Sequence, residues 1–259
     1  MTLAVESRME GAMSTPVAGV AVVTGASGGI GRATASALAG QGMSLCLSGR
    51  DLGRLQEVAR EMTPRAPHVL VHAADLSMDD GIRSLASRVA ADFGRVDVLV
   101  HAAGTIRLGN VESSAWGDLD EQYRVNLRAP FLLTKALLPI LKEAHGQVVF
   151  VNSSAGLVAS GENGLYAATK QALRAIAGSI RDHVNADGVR VISVFPGRTA
   201  TSMQQAIHRF EGRSYEAADL VQAGDVAELI VGALGLSRTA EVTDIVVRPM
   251  KKPRKATHG

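Results

Sequence analysis

The chain has 259 residues, of which 46% are apolar and 20% charged, so it can bury one substantial core and is too long for a small disulfide-stapled scaffold. The formal net charge of +2 and an aromatic content of 3% indicate neither a polyanion-binding field nor a base-stacking surface, and we expect no nucleic-acid partner. The single cysteine, Cys46, lies in an apolar run and is expected to be a buried packing residue.

The N-terminal segment, residues 1–18, is aperiodic and is expected to form a flexible tail. It carries Glu6 and Glu10 and lacks the apolar stretch of a signal peptide. No run in the sequence approaches the ~18–20 consecutive apolar residues of a membrane-spanning helix. These features predict a cytoplasmic protein with no membrane partner.

From Gly19 onward, short β-branched runs alternate with longer segments rich in Ala, Arg and Leu. The predicted strands cover 20–24, 44–48, 69–73, 96–101, 147–152, 189–195 and 245–247. The predicted helices cover 31–39, 51–62, 79–93, 115–144, 166–185 and 225–236. The strands are almost continuously apolar, which is typical of a parallel sheet covered by helices on both faces. We therefore expect an α/β fold with a single doubly wound, mostly parallel sheet (a Rossmann fold), forming one domain over residues 19–259.

A glycine-rich turn, Thr24-Gly25-Ala26-Ser27-Gly28-Gly29-Ile30-Gly31, joins the first predicted strand to the first helix. Such a turn lets the backbone approach a pyrophosphate, while the helix N-terminus offers unpaired N–H groups and a partial positive charge. Its spacing differs from G-x-G-x-x-G, so its position between strand and helix carries the interpretation. The expected cofactor contacts in the turn are Gly25, Ser27, Gly28, Gly29, Ile30 and Gly31.

The second predicted strand leads into Arg50, with no acidic residue at its end. Enzymes that use NAD commonly place Asp or Glu here to bond the ribose 2′-hydroxyl. A guanidinium suits the 2′-phosphate instead, so Arg50 favours NADP(H) over NAD(H), with a solvated residue at the start of a helix as the alternative. Asp75, after the third strand, is compatible with two roles: accepting a hydrogen bond from the adenine amino group, or capping the next turn.

Tyr166 and Lys170 lie four residues apart, on one face of a predicted helix. Neither Tyr123 nor Tyr215 has a lysine at this spacing. A neighbouring cation lowers the pKa of a phenol toward the range in which it exchanges a proton at working pH. We expect Tyr166 to exchange that proton with the oxygen of a carbonyl or alcohol, aided by a serine hydroxyl.

Together these motifs resemble the short-chain dehydrogenase/reductase family, over about residues 19–249. The turn at 24–31 is similar to the family's Thr-Gly-x-x-x-Gly-x-Gly, and Tyr166 and Lys170 are similar to its Tyr-x-x-x-Lys. The resemblance implies an oxidoreductase that transfers a hydride between NADP(H) and a carbonyl or secondary alcohol, with Tyr166 as general acid/base. It also implies a homodimer or homotetramer.

The same resemblance implies roles for further residues. Asn126 would help hold a water in a proton relay to Lys170, and Lys170 would lower the Tyr166 pKa and bond the nicotinamide ribose. The segment 196–201 resembles the family's Pro-Gly loop, which holds the nicotinamide carboxamide. The implied cofactor contacts outside the glycine turn are Arg50, Asp75, Leu76, Ala102, Gly104, Tyr166, Lys170, Pro196, Gly197, Thr199 and Thr201.

Two neighbouring serines compete for the role of orienting the substrate oxygen. Ser153 has the family's spacing, 13 residues before Tyr166 and three before Gly156, and Ser154 is the fallback. The family's Asn-Asn-Ala-Gly is His-Ala-Ala-Gly here, and we expect its first residue, His101, to be a hydrogen-bonded core histidine.

No metal site is expected. His68 and His72 would be about 13 Å apart along a strand, too far to share an ion. Substrate specificity is expected to come from two loops, 155–165 and 198–223. Arg198 in the second is compatible with binding a substrate carboxylate, touching the cofactor or facing solvent. A dinucleotide-binding sensor or scaffold without turnover is the alternative function, and the complete set of Ser, Tyr, Lys and Asn argues against it.

Overall fold

A computed structural model describes residues 19–251, so the predicted tail at residues 1–18 and the last eight residues of the chain lie outside the described range. Strands and helices alternate along the described chain, as the sequence predicts. The strands are β1 (Val20–Thr24), β2 (Ser44–Gly49), β3 (Val69–Ala73), β4 (Val98–His101), β5 (Gln147–Val151), β6 (Arg190–Pro196) and β7 (Asp244–Val247). The helices are α1 (Gly29–Gly40), α2 (Leu52–Met62), α3 (Asp79–Phe93), α4 (Asp118–Tyr123), α5 (Ala129–Glu143), α6 (Gly164–Val184), α7 (Ser202–Phe210) and α8 (Ala223–Leu234).

All seven strands pair in parallel, in the order β3-β2-β1-β4-β5-β6-β7. The chain builds outward from β1 to β3 on one side and then returns to start again at β4 on the other. The strand order therefore reverses between β1 and β4, where Thr24 pairs with His101. In doubly wound sheets, ligands bind outside the carboxyl ends of the strands at such a switch point. The predicted fold is confirmed.

Helices cover both faces of the sheet. Helices α1, α2 and α8 pack on one face, with Leu38, Leu55 and Ile230 buried against it. Helices α3, α5 and α6 pack on the other, with Leu85 and Leu133 buried there. Burial on both faces explains why the strands are apolar at nearly every position.

Most observed bounds lie within three residues of the predicted ones, but α7 corrects the sequence analysis, which treated residues 198–223 as a loop. The segment has a helical signal, since Met203, Ile207 and Phe210 follow an i, i+4, i+7 pattern. It also has an N-cap: the Thr201 hydroxyl accepts a hydrogen bond from the Gln204 N–H at 3.2 Å.

The helical region predicted for 115–144 contains a local widening. Helix α4 passes into a π-helical turn at Arg124–Arg128 and then into α5. Pro130 has no N–H, so the carbonyl of Asn126, four residues earlier, lacks its ordinary helical donor. The Ala129 N–H instead bonds the Arg124 carbonyl, five residues back. Asn126 lies in this turn with its side chain buried.

His101, the last residue of β4, is a neutral core residue, as the sequence analysis predicts. It is 3% exposed, and its ring stacks on Phe150 with the centroids 5.0 Å apart. Its Nε2 lies 2.8 Å from the Thr134 hydroxyl, which ties β4 to α5. Burial lowers the pKa of His101 to about 3.

We predict that His101→Asn makes the stability of the protein less sensitive to acid. The unfolded wild-type chain binds a proton at this histidine below about pH 6.5, whereas the folded chain excludes it until about pH 3. The His101 contribution therefore lowers the wild-type free energy of unfolding as the pH falls, by about 2 kcal/mol between pH 6.5 and 4.5. Urea denaturation of both proteins over this range measures the effect. Parallel pH curves for the two would contradict a neutral, buried His101.

Candidate functional site

One cleft of about 400 Å³ runs across the carboxyl ends of the strands. Residues that follow six of the seven strands, β1 to β6, line it. The cleft thus spans the switch point between β1 and β4, and its walls are connecting segments rather than the sheet itself. Such segments vary without disturbing the core, while the sheet holds their ends rigidly.

The floor of the cleft depends on a close approach of two backbones. Gly25 has a φ of +66°, and a Cβ there would lie 2.7 Å from the Ala102 carbonyl. The Thr24 hydroxyl accepts hydrogen bonds from the Ala102 and Ala103 N–H groups, each at 3.2 Å. A Cβ on Gly31 would lie 2.3 Å from the Gly25 carbonyl oxygen. Only glycine fits at 25 and 31, and together they hold the turn against the loop after β4.

The start of α1 supplies a cluster of backbone donors beside the cleft. The first N–H groups of a helix have no intrahelical partner, and α1 has no acidic residue in its first turn. Gly28 and Gly29 line the cleft beside Ser27. A Cβ on Gly28 would lie 3.8 Å from its nearest neighbour, Nη2 of Arg54, so the turn borders the cleft beside that guanidinium. This arrangement suits an anion such as a pyrophosphate.

Two arginines lie at one end of the cleft. Arg50 lines it directly after β2, and Arg54 lines it from the first turn of α2. Asp51 caps α2 by accepting from the Arg54 N–H at 3.0 Å, which fixes the start of that helix. Arg50 is predicted from the sequence and Arg54 is not, although its place in the first turn of the helix that follows β2 was a usable signal.

Asp75 lines the same end of the cleft and caps its own turn. Its Oδ1 accepts a hydrogen bond from the Ser77 N–H at 2.9 Å. This bond, more than the nearby Arg50, holds the pKa of Asp75 below its usual range. The capping role is thus observed, and the second carboxylate oxygen leaves room for the adenine contact.

Ser153, Tyr166 and Lys170 line the other half of the cleft. The Asn152 side chain joins the two elements that carry them, because its Oδ1 accepts from the Ser153 N–H at 2.9 Å and its Nδ2 donates to the Lys170 carbonyl at 3.0 Å. Lys170 Nζ donates to the Val151 carbonyl at 2.9 Å and lies 5.8 Å from the centroid of the Tyr166 ring. Ser154 is exposed and is not among the residues that line the cleft, which favours Ser153.

Burial sets the protonation of the tyrosine and the lysine. It raises the pKa of Tyr166 to about 12, and an interaction with the Ser153 hydroxyl offsets part of the rise. It also lowers the pKa of Lys170 to about 8. The expected net lowering of the Tyr166 pKa by Lys170 is therefore not found, because burial raises this pKa and the opposing contribution comes from Ser153. The phenol holds its proton at neutral pH and is able to donate it.

Asn126 lies behind the cleft rather than on its surface. Its Oδ1 accepts from the Thr105 N–H at 2.9 Å, and its Nδ2 donates to the Thr105 carbonyl at 2.9 Å and the Thr169 hydroxyl at 3.2 Å. These bonds tie the π-helical turn to the loop after β4 and to α6. Both N–H groups of the side chain are engaged, and the backbone carbonyl, which lacks its ordinary helical donor, has capacity for a water.

The segment after β6 closes the remaining side. Pro196, Gly197, Thr199 and Thr201 line the cleft before α7 begins. Arg198 instead points to the far end of α7, where its Nη1 and Nη2 lie 2.8 and 2.6 Å from the two carboxylate oxygens of Glu211. Instead of the three roles considered for Arg198, the structure shows a bidentate ion pair within the protein.

Most of the predicted site residues meet in this one cleft. Gly31 and Asn126 are the two that do not line it, since Gly31 packs beneath the turn and Asn126 lies behind Thr105. The predicted residues that line it are Gly25, Ser27, Gly28, Gly29, Ile30, Arg50, Asp75, Leu76, Ala102, Gly104, Ser153, Tyr166, Lys170, Pro196, Gly197, Thr199 and Thr201.

Two further observations concern residues 19–251, the part of the chain that the structure describes. This part of the chain contains no group of three His, Cys, Asp or Glu side chains placed to hold a metal ion. His68 and His72 have separate neighbours, the Phe93 ring and the Ser84 hydroxyl respectively. In the same range, no helix is long and apolar enough to span a bilayer.

The fold and the cleft agree with a family comparison. The family model described as short chain dehydrogenase matches residues 19–212. The chain belongs to this family, whose members are oxidoreductases.

Individual relatives match over nearly their whole length. An uncharacterized oxidoreductase of Staphylococcus epidermidis is 32% identical over 232 residues, covering 89% of this chain and 97% of the relative. An alcohol dehydrogenase from the archaeon Thermococcus sibiricus, solved with 5-hydroxy-NADP, is 29% identical with a TM-score of 0.83, covering 91% of this chain and 98% of that one. A metagenomic short-chain oxidoreductase solved with NADP is 30% identical with a TM-score of 0.78, covering 92% of this chain and 100% of that one.

We predict that Gly31→Ala destabilises the protein by about 1–3 kcal/mol, because the new Cβ must displace the Gly25 carbonyl. The matched control is Gly178→Ala in α6, where a Cβ meets nothing within 4 Å. Alanine is the better helix former, so this control should be neutral or more stable by up to ~1 kcal/mol. Urea denaturation compares the two, and equal stabilities would contradict the tight packing beneath the turn.

Proposed function

We propose that the protein is an NADP(H)-dependent oxidoreductase that interconverts a carbonyl compound and the corresponding secondary alcohol. The observation that carries the proposal is the shared cleft, in which the glycine turn and two arginines lie at one end and Ser153, Tyr166 and Lys170 at the other. An anion-binding turn beside a protonated phenol is the combination that carbonyl reduction requires. Family membership supports the reaction class.

Tyr166 acts as the general acid in reduction. Its pKa of about 12 keeps the phenol protonated at neutral pH, so its Oη donates the proton to the carbonyl oxygen as negative charge develops there. In the oxidation direction the same oxygen accepts the proton from the alcohol. The Ser153 hydroxyl, on the same cleft wall, donates a hydrogen bond to the substrate oxygen and holds it in line with Tyr166.

Lys170 and Asn126 restore the proton that Tyr166 gives up. A protonated Lys170 next to Tyr166 stabilises the phenolate left after proton transfer, and its pKa of about 8 keeps most of it charged at pH 7. The Asn126 carbonyl, deprived of its helical donor by Pro130, accepts a water that links Lys170 to solvent. Lys170 also bonds the nicotinamide ribose.

The cleft suits a dinucleotide that carries a 2′-phosphate. Gly28 and Gly29 expose the backbone at the pyrophosphate position, and Arg50 and Arg54 offer two guanidinium groups at the adenosine end. When bound, the dinucleotide supplies or accepts the hydride. The two solved relatives described above, in complex with 5-hydroxy-NADP and NADP, support NADP(H) over NAD(H). The homodimer or homotetramer, the cytoplasmic location and the single-domain boundary at residues 19–259 stay predictions.

We predict that Tyr166→Phe lowers kcat/KM for carbonyl reduction by about 10²–10⁴-fold, because the substrate oxygen loses its proton donor. NADPH binding, followed by nicotinamide fluorescence, should change by less than about threefold. Tyr123→Phe, on the exposed surface of α4, is the matched control and should keep full activity. Full reduction by Tyr166→Phe would refute the assigned mechanism. A wild type that binds NADPH but reduces nothing in a broad carbonyl panel would favour a sensor.

We predict that Arg50→Ala and Arg54→Ala each raise KM for NADPH by about 10–100-fold, since each removes a charge-assisted hydrogen bond. KM for NADH should change by less than about threefold. Arg60→Ala is the control, because Arg60 lies in the same helix and bonds the Gln56 carbonyl away from the cleft. Initial rates with each cofactor make the comparison. Equal effects on both cofactors would show that neither arginine reads the 2′-phosphate.

A further inference from the structure

The part of the cleft beyond Ser153 and Tyr166 has apolar walls. Ile106 lines it from the loop after β4, and Met203 and Ile207 line it from α7. Met203 and Ile207 are four residues apart and therefore lie on the same face of that helix. These three residues line the same cleft as Ser153 and Tyr166.

The charged residues that line the cleft are confined to other parts of it. Arg50, Arg54 and Asp75 lie at the adenosine end, and Lys170 is buried beneath Tyr166 with its Nζ bonded to the Val151 carbonyl. No charged side chain among the lining residues thus belongs to the segment after β4 or to α7.

Two arginines beside these segments are neutralised by partners within the protein, and the exposed Arg209 of α7 lies two positions from Ile207, on a different face of the helix. Arg198 makes its bidentate pair with Glu211, which is also 3.5 Å from Arg213. In the loop after β4, Arg107 pairs with Glu121, with its Nε and Nη2 2.9 and 3.0 Å from the carboxylate oxygens. A substrate carboxylate or phosphate would have to break one of these pairs to gain a counter-ion.

Two neutral polar residues of α7, Ser202 and Gln204, also line the cleft. Gln204 is buried, and its Nε2 lies 3.1 Å from Nδ1 of His208, one turn along α7. The His208 ring meets the edge of the Tyr215 ring, with the centroids 5.4 Å apart. The side chain of Gln204 is thus oriented, and the two residues offer a substrate one amide and one hydroxyl, fewer donors and acceptors than a polyol needs.

We propose that the substrate is an uncharged carbonyl compound with an apolar body, which packs against Ile106, Met203 and Ile207. The inference rests on the proposed function and adds a substrate class to it. Burying an ion against apolar walls without a partner is costly, so the cleft selects against carboxylates and phosphates. A polyhydroxylated ketose is selected against for the same reason, since most of its hydroxyls would lose water without gaining a partner.

The test uses two ketones of nearly the same shape and one ketose. The ketones are 4-isopropylacetophenone, which is neutral and apolar, and 4-acetylbenzoate, which replaces the isopropyl group with a carboxylate. The ketose is fructose. Binding to the protein–NADPH complex is measured by nicotinamide fluorescence, and turnover by NADPH oxidation. We expect 4-isopropylacetophenone to bind at least tenfold more tightly than the other two and to have at least a hundredfold higher kcat/KM.

A charge introduced into the apolar wall tests whether the substrate body binds there. Ile207→Lys should lower kcat/KM for 4-isopropylacetophenone at least tenfold and raise that for 4-acetylbenzoate, because the new cation offers the carboxylate a partner. Phe210→Lys is the matched control, since Phe210 is an exposed residue of the same helix and is not among the lining residues. It should leave both values within about twofold of wild type. Thermal unfolding of both variants verifies that they are folded.

The outcomes separate this inference from the proposed function. Preferential binding of the neutral ketone without turnover would overturn the reductase assignment and keep the apolar site. Turnover with a preference for 4-acetylbenzoate or fructose would keep the reductase and overturn the inference. Equal effects of Ile207→Lys and Phe210→Lys, or no binding of either ketone, would also overturn it.

Discussion

The close contact between the glycine turn and the loop after β4 is the constraint on which the site depends. At Gly25 and Gly31 a side chain would collide with backbone atoms, and the Thr24 hydroxyl bonds two N–H groups of the facing loop. These contacts lock the carboxyl ends of β1 and β4 together at the point where the strand order reverses. Every wall of the cleft is attached to this junction through the sheet. The parallel pairing of the strands therefore determines the geometry of the cleft.

A second constraint acts on the chemistry, because the tyrosine and lysine are both buried. Burial disfavours the charged form of each, so the phenol keeps its proton while the lysine loses its proton more readily than in water. The main-chain carbonyl of Val151 accepts a hydrogen bond from the Lys170 ammonium group and offsets part of the cost of burying it. The pair is thereby prepared for transfer of a proton toward the substrate, the direction that carbonyl reduction needs.

Much of this arrangement could be predicted from the sequence, because it depends on local patterns. Apolar runs predict the strands, and the spacing of Tyr166 and Lys170 predicts their common helix face. The direction in which the Tyr166 pKa shifts could not be predicted, since it is set by burial, which is a property of the whole fold. The ion pair of Arg198 with Glu211 could not be predicted either. It joins residues thirteen positions apart, at the two ends of a helix that was predicted to be a loop.

Helix α7 is separate from the elements that carry the proposed catalytic side chains, and this separation bears on how the protein can evolve. The side chains proposed as catalytic lie on the loop after β5 and on α6, which also fills the core, so mutations in α6 risk the fold. Thr201 caps the N-terminus of α7, and the ion pair between Arg198 and Glu211 holds its C-terminal end. Its cleft-facing positions are therefore free to drift, and a lineage could acquire new substrates by exchanging a few side chains on this helix while the reaction itself is inherited unchanged.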